Sequence, residues 1–130
     1  MILTSGCFDG LHFGHVWYLD EAAQYKDGRE DLYVAVAPDS YIRSAKCREP
    51  YWPQRERCET VRALKMVDAI WPQESQSVAP IVRLQKPRLF IKGKDWEGKL
   101  PADVVEACLC AGTKIVFVET ESRHTSEARC

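Results

Sequence analysis

The chain alternates short, almost uniformly apolar runs with segments that repeat at the period of a helix. Apolar runs at 2–4, 31–37, 67–72, 88–92 and 114–118 predict five strands. Between the first two, residues 14–28 carry Val16, Leu19, Ala22 and Ala23 on one helical face, with Gly28 placed to end the helix. After a long loop over 37–52, Pro53 suits a helix's first turn, and Cys58, Val61, Leu64 and Val67 continue a buried stripe. A weaker helix is predicted over 77–85 despite Pro80, and a firmer one over 101–111, closed by Gly112. Strands apolar on both faces, each followed by a helix, imply a parallel sheet covered on two sides. The expected architecture is a doubly wound, Rossmann-like α/β fold with five parallel strands. Ligands of such sheets sit beyond the carboxyl ends of the strands, where strand order reverses. The loops to inspect are therefore 5–15, 37–52, 92–100 and 119–126.

Composition narrows the picture. With 130 residues, 45% of them hydrophobic, the chain suffices for one domain, read here as 1–130. Eighteen basic residues against nineteen acidic ones give no reason to expect nucleic acid as partner, so any phosphate binding is local. No apolar run approaches the roughly 20 residues of a membrane span, and no signal peptide precedes the first strand; a cytoplasmic protein without membrane contact is expected. The six cysteines form no CxxC pair and stand at no metal-ligand spacing with histidine, so they are read as reduced thiols rather than a metal or disulfide framework.

Candidate chemistry concentrates in one loop. GCFDGLHFGH, residues 6–15, joins the first strand to the first helix and holds Gly6, Gly10 and Gly14 with His12 and His15. Glycines let the backbone turn tightly and let an anion approach the unpaired amides of a helix start. Two imidazoles three positions apart project to the same side and can donate to phosphate oxygens. Paired donors aimed at one point suit charge that grows during a reaction. The plainer alternative makes His12 a helix cap and His15 a satisfied, partly buried histidine. Neither the glycine-rich nucleotide loop GxxxxGK[ST] nor the GxGxxG turn occurs.

The run Phe8-Asp9-Gly10-Leu11-His12-Phe13-Gly14-His15 resembles the FDxxHxGH signature of the cytidylyltransferase-like nucleotidyltransferases. GHVWYLDEA and DLYVAVAPDSYIRSAK resemble the sugar-phosphate adenylyltransferase branch, whereas GKDWEGKL (93–100) is similar to the glycerol-3-phosphate cytidylyltransferase branch. The resemblance implies transfer of CMP or AMP from CTP or ATP to a small phosphorylated acceptor, with release of pyrophosphate. It also implies a homodimer and magnesium carried by the nucleotide, with no metal site of the protein's own. By position, His12 and His15 would hold phosphate oxygens, Lys46 would close over the phosphates, and Arg57 would form a positive rim. Gly6, Cys7, Phe8, Asp9 and Gly14 would frame the nucleotide, Gly93, Asp95 and Trp96 would meet its ribose or base, and Lys65 would face the acceptor. Thr125 and Ser126 would take the outer phosphates. Two departures stand against that pattern: Glu119 replaces an arginine of the cytidylyltransferase branch, with Arg123 as the nearest compensating charge in sequence, and little of the final helix is present before Cys130. They keep open a second reading, a non-catalytic nucleotide-binding module with a degenerate triphosphate site.

Overall fold

The computed structural model describes residues 1–120. Five parallel strands, β1 (Ile2–Gly6), β2 (Leu32–Val36), β3 (Ala69–Pro72), β4 (Leu89–Gly93) and β5 (Lys114–Val118), form one sheet in the order β3-β2-β1-β4-β5. Ile2 lies opposite Leu32 on one side and Leu89 on the other. The chain thus winds outward from β1 to β3, then returns to the other side of β1. The switch point falls between β1 and β4, the crevice such sheets use for ligands.

Side chains alternate along each strand and build two cores. Ile2, Val34, Val36, Leu89 and Ile91 face α1 (Phe13–Ala23) and α3 (Gln54–Arg62), which contribute Leu19, Ala22, Cys58 and Val61. Leu3, Ala35 and Phe90 face α4 (Ala79–Gln85) and α5 (Ala102–Ala111), which contribute Val82, Val104 and Ala107. Burial on both faces is why the strands read as near-continuous apolar runs. Thr4 is one of two buried polar residues in β1, with Ser5. Its hydroxyl donates to the Ile91 carbonyl at 2.7 Å and pairs with the Tyr18 hydroxyl of α1, so burying it leaves no bond unmade.

Two features differ from the sequence-based expectation. α1 ends at Ala23 rather than at Gly28, because Tyr25, Lys26 and Glu30 bond back into successive turns; Gly28 occupies the left-handed region (φ +60°) of the second turn. The expected loop 37–52 contains a helix, α2 (Asp39–Lys46). Only Ile42 of α2 is buried, packing with Cys7 and Ala37, and its eight residues are fewer than the window over which helical periodicity is read. Pro80, by contrast, does not disturb α4, since it lies in the first turn, where no N–H is required.

Opposite the switch point, Glu30 receives both Arg88 Nε and Arg88 Nη2 at 2.8 Å, tying the turn before β2 to the start of β4. The Arg88 guanidinium lowers the Glu30 carboxyl from 4.5 to about 2. A carboxylate depressed in the folded state contributes stability that is full above its unfolded pKa and fades as pH falls through the folded one. Denaturant melts between pH 5 and about 2 are therefore expected to show Glu30→Gln losing less stability on acidification than the wild type, and starting lower at neutral pH. Parallel pH curves for the two proteins would contradict this assignment.

Candidate phosphate-binding site

The β1–α1 turn is tight for a steric reason. Phe8 takes φ +53°, a left-handed conformation costly for an aromatic residue, and its side chain is 2% exposed. A Cβ on Gly6 would stand 2.8 and 2.9 Å from the Phe8 ring, and Gly10 needs its φ of +99°. Glycine is thus required at Gly6 by packing and at Gly10 by conformation. Because Phe8 packs against the His15 ring at 5.4 Å, Gly6→Ala must push the imidazole as well as the phenyl ring. We expect Gly6→Ala to cost about 1–3 kcal/mol in chemical melts and to weaken phosphate-ligand binding in calorimetry. A variant as stable and as tight-binding as the wild type would show that the turn gives way freely.

His12 is the N-cap of α1. Its Nδ1 accepts from the Gly14 N–H at 3.0 Å, so the ring proton must sit on Nε2, where it can be donated to a ligand. His15 stacks on His12 with ring centroids 4.1 Å apart and planes at 29°. It is 8% exposed, and both of its ring nitrogens are buried without a hydrogen-bond partner among the described residues. The plainer alternative therefore holds for half of the pair: His12 does cap the helix, but His15 is not satisfied. An unpaired buried polar group costs about 1–3 kcal/mol. Such a cost is usual at sites that meet a ligand.

Around this turn runs a clasp that sequence reasoning did not find. The Asp9 carboxylate accepts from Arg48 Nη1 (2.8 Å), the Tyr51 N–H (2.9 Å) and the Trp52 N–H (3.0 Å), and so pins the segment after α2 beside the turn. Burial alone would raise the Asp9 carboxyl, but the two backbone amides and the Arg48 guanidinium together hold it below its usual range. Asp9 thus spends its side chain on the protein. Lys46, the last residue of α2, is half-buried just before that pinned segment.

Arg57 does not form the expected positive rim. It is 1% exposed, with Nε on the Trp52 carbonyl (2.8 Å), Nη1 on the carbonyls of Cys7 and Ala37 (both 2.8 Å), and Nη2 on Asp39 (2.6 Å). Its planar fork joins three loops at the carboxyl ends of the strands, which a solvated arginine could not do. The polar neighbours Glu56, Glu59 and Arg62 conceal that position in the sequence. Lys65 is also displaced from its expected role. It is exposed beyond the end of α3, two residues before Val67 and three before Asp68, and Asp68 bonds Leu32 at the amino end of β2. Lys65 therefore stands at the end of the sheet opposite the histidines.

On the far side of the switch point, Gly93 closes β4. A Cβ there would lie 2.6 Å from Asp95 Oδ1 and 2.6 Å from Thr120 Cγ2, so Asp95 folds back over a position that only glycine leaves open. Trp96 ends the short 3-10 turn Lys94–Trp96, with Lys92 Nζ 4.8 Å from its ring centroid. Glu119, the departure near the expected triphosphate, is paired with Lys94 at 2.7 Å, so its charge is countered from β4's own loop. Thr125, Ser126 and Arg123 lie outside the described residues. Among those residues no three His, Cys, Asp or Glu side chains converge to hold a metal, and no helix is long and apolar enough to cross a membrane. Cys7, Cys58 and Cys108 are buried thiols, while Cys47 and Cys110 are exposed.

A doubly wound parallel sheet, with a strained glycine turn and stacked imidazoles where a helix starts at its switch point, defines an α/β protein of the Rossmann-like class. The chain belongs to the cytidylyltransferase-like family, whose model matches residues 3–124. It is similar to the bifunctional protein HldE of Aliarcobacter butzleri (strain RM4018), 36% identical over 124 residues, which are 94% of this chain and 25% of that protein. It is also similar to the FAD synthase of Thermococcus onnurineus (strain NA1), 44% identical over 95 residues, 72% of this chain and 61% of that protein. The chain thus spans about a quarter of the HldE relative. Among solved structures, a lipopolysaccharide core biosynthesis protein from Thermoplasma volcanium GSS1 matches with a TM-score of 0.77 and 28% identity, covering 92% of this chain and 96% of that one.

Proposed function

We propose that this chain transfers a nucleotidyl group from CTP or ATP to a small phosphorylated acceptor. An acceptor phosphate oxygen attacks the α-phosphorus; the new P–O bond forms as the bond to the β-phosphate's bridging oxygen breaks, and its electron pair leaves with pyrophosphate. The observation that carries this reading is the stacked histidine pair, one ring held by its cap through Nδ1 with its Nε2 buried, the other buried with both nitrogens unbonded among the described residues. In that role His12 Nε2–H donates to an α-phosphate oxygen, and His15 forms its missing hydrogen bond as negative charge builds there. The backbone of Gly6, Cys7, Phe8, Asp9 and Gly14 approaches the phosphates, Lys46 supplies a mobile point charge from the end of α2, and Gly93, Asp95 and Trp96 border the nucleoside. Arg57 acts at one remove, as a positioning residue that fixes the turn. Thr125 and Ser126 are assigned to the outer phosphates from the resemblance alone.

Magnesium belongs to this proposal as a companion of the triphosphate, where it offsets phosphate charge. The described residues do not fit a protein-held metal, since no ligand cluster forms and Asp9 is committed to Arg48 and two amides. A homodimer remains part of the proposal through the resemblance. The Lys94–Glu119 pair answers one of the two departures behind the degenerate-module reading, because it gives the Glu119 carboxylate a cation. The test is a screen of four triphosphates against glycerol, ribitol, sugar, choline and ethanolamine phosphates, with pyrophosphate release and a nucleotide-linked product as readouts. One productive pairing is expected. Saturable nucleotide binding with no product from any pairing would establish the non-catalytic module instead.

A further inference from the structure

The sheet divides at its switch point. Strand pairing between β1 and β4 stops at Thr4–Ile91, whereas β1 stays paired with β2 as far as Gly6–Val36 and β4 with β5 as far as Gly93–Val118. The last shared rung is clamped on the α1 face, where the Thr4 hydroxyl donates to the Ile91 carbonyl at 2.7 Å and the Tyr18 hydroxyl lies 3.0 Å from the same oxygen. Beyond that rung each strand runs on for two residues without the other: Ser5 and Gly6 lead into the histidine turn, and Lys92 and Gly93 into the loop holding Asp95 and Trp96.

Lys92 spans this division. Alternation along the strands turns Ser5 and Lys92 to the face away from α1. There Lys92 Nζ donates to the Ser5 carbonyl (2.9 Å), lies 3.4 Å from Ser5 Oγ and stands 4.8 Å from the Trp96 ring centroid. The side chain is 7% exposed, and with Ser5, Gly6, Cys7 and Trp96 it lines a recess beside Gly6. One ammonium thus meets both the strand that ends in the phosphate turn and the aromatic plane of the opposite loop. In the sequence it reads only as the polar end of an apolar run. As a source of stability it is a poor choice, because taking an ammonium out of water costs more than one carbonyl bond returns.

We infer that Lys92 is a positioning residue that couples the phosphate half of the nucleotide site to its nucleoside half; the inference rests on the nucleotidyl-transfer reading above, which sets phosphates at the turn and the nucleoside at Gly93, Asp95 and Trp96. Lys92 touches no reacting atom. The two strand ends pivot about the Thr4–Ile91 rung, and the bond to Ser5 with the contact to Trp96 sets their spacing. A nucleoside triphosphate must engage both ends at once, so the spacing governs the intact nucleotide and neither of its parts alone.

The test compares nucleotides with their fragments by calorimetry of the whole chain in magnesium: CTP with cytidine and tripolyphosphate, and ATP with adenosine and tripolyphosphate. Lys92→Met is expected to leave fragment affinities within about twofold of the wild type and to weaken the triphosphate by about tenfold, a coupling of ordinary size. Lys92→Arg should restore part of that loss, since a guanidinium also donates to a carbonyl and stacks on an aromatic ring. Glu30→Gln, destabilised at the opposite end of the sheet, should bind triphosphate as the wild type does, which separates spacing from stability. Weaker tripolyphosphate binding by Lys92→Met would make Lys92 a phosphate contact, weaker nucleoside binding a nucleoside contact, and unchanged triphosphate binding a bystander; each result overturns the inference. Where thermal melts show Lys92→Met unfolded, hydrogen exchange on the wild type decides. Tripolyphosphate alone is then expected to slow amide exchange over residues 92–97, and cytidine or adenosine alone over 5–10; without such cross-protection the inference falls. Coupled binding without pyrophosphate release from any pairing would keep the role of Lys92 and remove the transfer reading. Transfer at the wild-type rate by Lys92→Met would do the reverse, and if neither triphosphate binds, both fall.

Discussion

Replacing His15 with leucine is expected to lower turnover by at least about two orders of magnitude while leaving the protein as stable as before, or more stable. The two halves of that result have one cause. In the folded protein His15 is buried with two unbonded ring nitrogens, so an apolar side chain of similar size removes an unfavourable desolvation rather than a favourable bond. The same nitrogens are the groups able to meet a phosphate whose charge rises during transfer, and leucine cannot replace them. Stability withheld at a site and returned on mutation is the mark of a residue kept for function. Thermal melts beside pyrophosphate release measure both quantities. A His15→Leu protein that is strongly destabilised yet turns over normally would assign His15 to the core.

Arg57→Met should behave in the opposite way, with a loss of about 3–5 kcal/mol in folding stability from a residue that touches no substrate. The substitution would strand the carbonyls of Cys7, Ala37 and Trp52 and leave Asp39 with Gln54's N–H but without its cation. Arg57→Lys should recover little, because one ammonium cannot reach three loops at once. Activity should fall only as far as the turn loosens, so low temperature or a stabilising osmolyte should restore part of it. Urea melts of both variants and rates measured with and without osmolyte check this. A stable Arg57→Met protein with no activity under any condition would return Arg57 to direct contact with substrate.

The two residues show where sequence reasoning succeeds and where it fails. The place of His15 in the turn was legible because its surroundings are local: glycines, a helix start and a second histidine all lie within ten positions. Arg57 was expected in a positive rim, and the charged residues beside it in sequence conceal its burial, because its partners in space come from elsewhere. Cys7 is 50 positions away, and Ala37 is 20. Lys92 was overlooked for the same reason, since its partner Ser5 lies 87 positions distant. Asp9 was placed correctly in the turn, but its three bonds to Arg48, Tyr51 and Trp52 cross about 40 positions and leave no local trace.

By itself the sequence determined the alternation of buried strands with helices, hence a parallel sheet covered on both faces, and it located the glycine and histidine turn between β1 and α1. Periodicity reports which side of a local element is dry, and glycine and histidine at a strand-to-helix junction report what that junction can bind. The tertiary structure alone decided the strand order around β1, the burial of Arg57 and Lys92, the clasp at Asp9 and the recess beside Gly6. Each depends on whether distant carbonyls and carboxylates meet a buried polar group at hydrogen-bonding distance, and only the folded chain brings those partners together.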